Sequence, residues 1–430
     1  MITGISVISP LGTELETFWS SISTGKSGVR RLQSDGTEDL ALPVGGQATE
    51  FTGHIDNFGE LPKDLKRSVR KALKLMCREI QMGVAAAQKA LGDANLSQGD
   101  YDPDEFGVVF GCDHIVTTPD EFTSGIQSCL NGDATFEYDR WAADGMPKVS
   151  PLWLLKYLPN MPASHIAILN QLYGPNNSLT YREAAGSLAV DEAFRTIKRG
   201  MAKQMIAGAT GCNISPIKSF FVASQSQLAT ANGNPSTACR PFDKARTGMV
   251  PGEGAASFIL EERESALGRG ARIYAEVLGA GSAIAVDTNS VAKLDVSMRN
   301  AMKAALRNAQ AEPSSIGHIN AHGLATKHSD LCESRAIQQT FGDLTSQLPV
   351  VAAKSSFGNL GAASGLIEAA ASIIGVRSGF LFPTLNHDSP DPDCPLNVTT
   401  TLTPIENTRF LTLCSTPQGQ SSALVLEAVR

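Results

Sequence analysis

Short apolar runs alternate with longer helical patterns along this chain, and that alternation restricts its fold more than any other feature. Thr3 to Ile8, Gly107 to Phe110, Gln204 to Gly208 and Ser257 to Leu260 read as short strands. Leu65 to Leu91, Ala184 to Arg199, Val296 to Asn308 and Gly365 to Arg377 carry apolar residues at helical spacing. Strands separated by helices imply α/β layering, because each helix buries its apolar stripe on a sheet. The chain closes on a hairpin pattern, Arg409 to Cys414 and Ala423 to Ala428, with its turn at Thr416-Pro417-Gln418-Gly419. Residues 113 to 165, with Trp141, Trp153 and several prolines, read as an insertion between core elements. Element order is weakly similar on the two sides of a seam near residue 250. That is compatible with duplication into 1–250 and 251–430, which pattern alone does not establish.

A chain of 430 residues, 42% hydrophobic, can bury a large core. Its net charge of −7 argues against general nucleic-acid binding. Eight cysteines, spread from Cys77 to Cys414 with no C-x-x-C pair, read as buried or free thiols in a reducing compartment. No charged leader precedes an apolar run, and Leu366 to Val376 is too short to span a bilayer, so the expected setting is cytoplasmic, with no membrane. His318, His322, His328 and Asp330 lack the spacing of a compact metal site. Gly25-Lys26-Ser27 and Gly279-Ala280-Gly281 lack glycines that a phosphate loop or dinucleotide turn requires. Neither a metal nor a cofactor is expected.

Several motifs, in order, carry a resemblance to a known family. They are Ile2-Thr3-Gly4-Ile5-Ser6-Val7-Ile8-Ser9-Pro10-Leu11-Gly12, Gly25-Lys26-Ser27-Gly28-Val29, Arg240-Pro241-Phe242-Asp243 with Arg246-Thr247-Gly248 and Gly252-Glu253-Gly254-Ala255, and Arg269-Gly270-Ala271-Arg272-Ile273-Tyr274-Ala275-Glu276. Nearly end to end, the chain resembles the β-ketoacyl-acyl-carrier-protein synthases, the condensing enzymes of fatty acid and polyketide assembly. The resemblance implies the thiolase fold: duplicated five-stranded mixed-sheet halves in a layered α-β-α-β-α arrangement, usually paired as a dimer.

The same resemblance names the candidate site and its departures. The family's nucleophilic cysteine stands at the position of Glu183, in Leu179-Thr180-Tyr181-Arg182-Glu183-Ala184-Ala185-Gly186. The first family histidine matches His322, in His322-Gly323-Leu324-Ala325-Thr326, followed by Asp330 and Glu333. The family lysine matches Lys354, and its second histidine falls on Asn359. The gating F-G-F-G-G turn aligns with Ser415-Thr416-Pro417-Gln418-Gly419. A carboxylate is a weaker nucleophile than a thiolate, and its acyl product is a reactive anhydride. An asparagine donates a hydrogen bond but carries no catalytic proton. Three altered parts together point to loss of condensation. Glu183 at a helix N-terminus, close to Lys354 and His322, is expected to be ionised and salt-bridged, plugging the site. The catalytic alternative makes it a general base or acyl acceptor.

Lys63, Lys66, Arg67, Arg70, Lys71 and Lys74 recur at helical spacing and form a basic face in an acidic protein. The resemblance implies an acidic acyl carrier protein as the docking partner of such a face; the bland alternative is a solvated face. By the same resemblance the chain is expected to be a chain-length-factor-like subunit, a homodimer alone or a heterodimer with a cysteine-bearing ketosynthase. A malonyl-carrier decarboxylase, or an acyltransferase or hydrolase using Glu183 directly, are the enzymatic alternatives.

Overall fold

The computed structural model describes residues 1–32, 42, 44–230 and 233–430. Its first set of strands is β1 (Ile2–Ile8), β2 (Phe106–Cys112), β3 (Asn176–Leu179), β4 (Gln204–Cys212) and β5 (Glu253–Glu261). The second is β6 (Ala275–Ile284), β7 (His318–Asn320), β8 (Pro349–Val351), β9 (Arg409–Ser415) and β10 (Gln420–Ala428). Every residue of β1, β2, β4 and β5 is buried. A strand covered on both faces has no solvent side, so it reads as an apolar run without alternation.

The first set runs in the order β3-β2-β4-β5-β1, with β2 parallel to β3 and β4, and β5 antiparallel to β4 and β1. The second runs β8-β7-β9-β10-β6, with β7 parallel to β8 and β9, and β10 antiparallel to β9 and β6. Order and sense are repeated strand for strand. The two sets meet edge to edge where Ile2 pairs with Ala275. From strand order we propose the seam between β5 and β6, somewhat later than residue 250.

The helical pattern Leu65 to Leu91 is two helices, not one. These are α1 (Lys63–Ala72) and α2 (Arg78–Asp93), separated by a single tight turn and an extended Met76. The break has a tertiary cause. The Arg78 guanidinium is held by the Glu253 carboxylate at 2.6 Å and by the carbonyls of Phe51 and Ala48, which re-aims the chain at the start of α2. Residues 113 to 160 hold one helix, Asp120–Ser128, and several short turns, with Trp153 packed edge-on against Phe122. Core packing resumes with α3 (Met161–Asn170), which lies against α2 and β2.

Next come α4 (Ala185–Lys198), α5 (Pro216–Gln225), α6 (Leu294–Ala309), α7 (Lys327–Phe341) and α8 (Ser364–Ser378). Helices α2 and α3 cover the outer face of the first sheet, and α6, backed by α7, covers that of the second. Helices α4 and α8 lie between the sheets and touch strands of both. That is the α-β-α-β-α layering which the resemblance implies. Nearly every residue of α8 is buried, which explains its all-round apolar composition. Among the described residues no helix is long and apolar enough to cross a membrane.

Candidate active site

Parallel strands end at the site, as ligand sites in such sheets generally require. Four residues after β3, Glu183 lies in the turn Arg182–Ala184, immediately before α4. His322 follows β7, Lys354 follows β8, and Ser415 ends β9. Two glycines set the approach. Gly323, at φ +49°, would place a Cβ 2.7 Å from that of Ala352; Gly358, at φ +80°, would place one 2.7 Å from the Val250 carbonyl oxygen. These turns sit directly beside His322 and Asn359 in the chain, where a side chain would not fit.

Lys354 is buried, and its Nζ donates to Glu368 Oε1 at 2.6 Å and to the His322 carbonyl at 2.7 Å, with His322 Nδ1 at 3.3 Å. Burial opposes the charge on Lys354, but the acidic groups around it, Glu368 foremost, together raise the lysine pKa. Burial, with Lys354 beside it, holds His322 well below the ordinary histidine range. The ring is therefore neutral. With Nδ1 turned to the ammonium, its proton belongs on Nε2. Glu333 accepts from the backbone N–H of His322 at 2.6 Å and of Gly323 at 2.8 Å. It holds the histidine loop through the backbone. Asp330 accepts from the Phe242 N–H at 2.8 Å and lies 3.4 Å from Arg246 Nε, tying the loop to the segment that holds Arg240-Pro241-Phe242-Asp243 and Arg246.

Glu183 is 2% exposed. The expected salt bridge to Lys354 is not made; Glu368, on α8, takes the lysine instead. Glu183 Oε1 accepts from Asn359 Nδ2 at 2.9 Å, and Oε2 lies 3.6 Å from Arg182 Nε. Asn359 Nδ2 also donates to Met249 Sδ at 2.9 Å, while its Oδ1 accepts from Ser364 Oγ at 3.0 Å and from the Gly361 N–H at 3.3 Å. Its amide protons are already committed. The hydrogen bond that the Asn359 amide donates therefore goes to Glu183. Arg182, at φ +47°, donates from Nη1 to Gln225 Oε1 at 2.9 Å, at the end of α5.

A cavity of about 290 Å³ reaches His322; Leu324, Thr326, Gln225, Ser415 and Pro417 are among its walls. Ser415 is buried and bonded to Ser421 Oγ at 2.9 Å, whereas Pro417 is exposed at the turn. Cys414 is a thiol near the lysine. Burial, reinforced by Glu368, pushes it up to about 12, so it is no thiolate. His318 is buried, stacked on Phe410 and bonded through Nε2 to Ser372; His328 lies by Cys332 on α7.

Of the basic residues, Lys63, Arg67, Arg70, Lys71 and Lys74 are exposed, while Lys66 is half-buried and bonded to Asp56 at 2.9 Å. Lys74 lies beyond the end of α1, so the face is continuous only to Ala72. Sequence reasoning missed Arg182 and Glu368. The signals were Arg182's adjacency to Glu183 and the single acid in the otherwise apolar run of α8.

Burial holds Glu333 near 8 and Glu368 near 7. In the unfolded chain both ionise near the ordinary carboxylate value of about 4.3. Between those limits the native state binds more protons, so stability falls as pH rises. The depressed histidines act oppositely, but only below their unfolded value of about 6.5. Thermal unfolding is therefore expected at a lower temperature at about pH 8.5 than at about pH 6.5. Scanning fluorimetry across that range checks this, and a flat or rising melting temperature contradicts it.

The profile "Beta-ketoacyl synthase, N-terminal domain" matches residues 1–266, and "Beta-ketoacyl synthase, C-terminal domain" matches residues 274–388. The chain is 34% identical over 402 residues to 3-oxoacyl-[acyl-carrier-protein] synthase 2 of a Synechocystis species, covering 92% of this chain and 90% of that one. Among solved structures it resembles a ketosynthase in complex with its type II polyketide acyl-carrier protein, bound to the hexaketide, at a TM-score of 0.82 and 27% identity, over 100% of this chain and 98% of that one. It likewise resembles the ishigamide ketosynthase/chain length factor, at a TM-score of 0.81 and 28% identity, over 100% and 98%.

Proposed function

Because the chain belongs to the β-ketoacyl synthase family of fatty acid and polyketide synthesis, we propose that it is a non-condensing member of such a system. In this reading it is a chain-length-factor-like subunit that pairs with a cysteine-bearing ketosynthase and receives an acyl carrier protein. One observation carries the reading. At the position which the resemblance gives to the nucleophile, a buried carboxylate is tied to Asn359, and the lysine is tied to Glu368. Such a site offers neither a thiolate nor a second imidazole. Intact mass spectrometry after incubation with acyl-carrier or acyl-coenzyme A donors is expected to show no stoichiometric adduct. An acyl group on Glu183 would overturn the proposal.

Pairing draws support from the first sheet. Strand β3 is half-exposed and bonded along one side to β2, and an open strand edge is a template for a second chain. Exposed apolar side chains at Ile168, Tyr173, Phe220 and Phe221 would add burial to such a contact. Co-expression with a co-encoded ketosynthase is expected to give a mixed dimer, and the chain alone a homodimer.

The exposed cations of α1 would receive the acidic carrier. Arg67→Glu/Arg70→Glu/Lys71→Glu is expected to weaken carrier binding at least about tenfold at low salt, and by less at high salt. A change below about twofold would make this a solvated face only.

The decarboxylase reading gains one observation. Arg182 beside Glu183 offsets the repulsion that an isolated glutamate would exert on a malonyl carboxylate. Carbon dioxide release from malonyl-carrier protein by the chain alone would favour it.

A further inference from the structure

Glu79, in the first turn of α2, is 4% exposed and lines a cavity of about 600 Å³. Leu32, Ile115, Val116, Ile214 and Ile217 give that cavity apolar walls. It shares no wall residue with the cavity that reaches His322, and no step proposed above uses it. Its size falls within the range of about 300–1,000 Å³ usual for small-molecule sites, which combine apolar walls with a few polar groups.

The charges at its polar end do not balance. Glu79 and Glu253 line it, and Asp113 lies one contact behind; all three carboxylates are buried. Arg78 is taken by Glu253, donating from Nε at 2.8 Å and from Nη2 at 2.6 Å. Lys218, in the first turn of α5, lies 3.3 Å from Asp113 Oδ2 and 3.7 Å from Glu79 Oε1. Its Nζ makes no hydrogen bond among the described residues. Asp113 also accepts from the His114 N–H at 2.8 Å. Glu79 is left with the Cys112 thiol, a weak donor, at 3.7 Å. Three carboxylates thus share two permanent cations, and among the described residues no N–H donates to the Glu79 carboxylate. Burial pushes that carboxyl up to about 7 in spite of Lys218.

A buried charge without a full partner is costly, and an ammonium group brought through the cavity would supply the missing cation. Asp120, also on the wall, carries the same sign as Glu79 and favours the same ligand charge. The apolar walls would cover the body that carries the ammonium. We propose that this cavity is a second ligand site, taking a small primary amine whose ammonium group hydrogen-bonds to Glu79 and whose apolar body lies against Ile115, Val116 and Ile217. It stands apart from the carrier reading of the Glu183 site, and neither depends on the other.

Calorimetric titration of the intact chain with 4-phenylbutylamine, 4-phenylbutanol and 4-phenylbutyrate tests it, since the three differ only in the head group. The amine is expected to bind at least about tenfold more tightly than the alcohol, and the acid more weakly than either. Glu79→Gln is expected to bring the amine within about threefold of the alcohol. Val116→Trp, which fills the cavity from a half-buried loop position, is expected to weaken both at least about tenfold. Should Glu79→Gln fail to fold, the order of the three head groups in the natural protein still decides. Equal binding of amine and alcohol overturns the inference, as does an acid that binds tightest. So does an amine preference that persists in folded Glu79→Gln, amine binding undiminished in Val116→Trp, or no binding of any probe at millimolar concentration.

Discussion

Glu183→Cys is expected to leave condensation on the order of a thousandfold below that of an ordinary β-ketoacyl synthase. The substitution supplies a thiol at the turn before α4, but not the groups that would use it. Asn359 stands beside position 183 at hydrogen-bond distance, and an amide neither takes up nor returns a proton as an imidazole does. Its Oδ1 is bound to Ser364 and Gly361, so the amide is also held in its present orientation. The turn at Ser415-Thr416-Pro417 is unchanged by the substitution. Groups that act as one catalytic unit do not contribute additively, so restoring one leaves the rate near the floor. Product formation from acyl- and malonyl-carrier substrates measures this. Adding Asn359→His to Glu183→Cys is expected to recover more activity than either change alone. Near-ordinary turnover by Glu183→Cys alone would show that the other departures do not matter.

Glu368→Leu is expected to cost about 3–5 kcal/mol of folding stability, because it strands the Lys354 ammonium in the central layer. Lys354 is 1% exposed, and Glu368 is the carboxylate bonded to it. Lys354→Met/Glu368→Leu removes both charges and is expected to recover most of the loss. Urea denaturation of the single and double variants, with unchanged slope as the two-state check, gives the coupling. If the double variant is no more stable than Glu368→Leu, the pair is not what compensates the lysine. A recovered double variant would assign Lys354 and Glu368 a structural role and agree with a site that no longer condenses.

Much of the site was legible in the sequence as candidates, because motif order identifies positions without coordinates. Glu183, His322, Lys354 and Asn359 stand in segments that keep their neighbours, and the structure sets these segments at adjoining strand ends. Which side chain bonds which was not legible. Glu183 and Lys354 carry opposite charges, and sequence reasoning paired them for that reason. In the fold Glu368 reaches the lysine from α8, and Arg182 turns back on Glu183. Strands β7 and β8 were also missed. Each has only three residues, and nothing in so short a run separates strand from helix.

The sequence by itself determined the layered α/β class, the places of the long helices α4, α6 and α8, and the closing hairpin β9–β10, because periodicity and turn chemistry are local properties carried by consecutive residues. Partners at long range were decided by the tertiary structure alone. The break between α1 and α2 answers to Glu253, some 175 positions away from Arg78. Glu183 meets Asn359 from 176 positions away, and the repeat appears only once strand order is known. A buried charge takes its partner from whatever element packs against it, and in this chain those elements are distant in sequence.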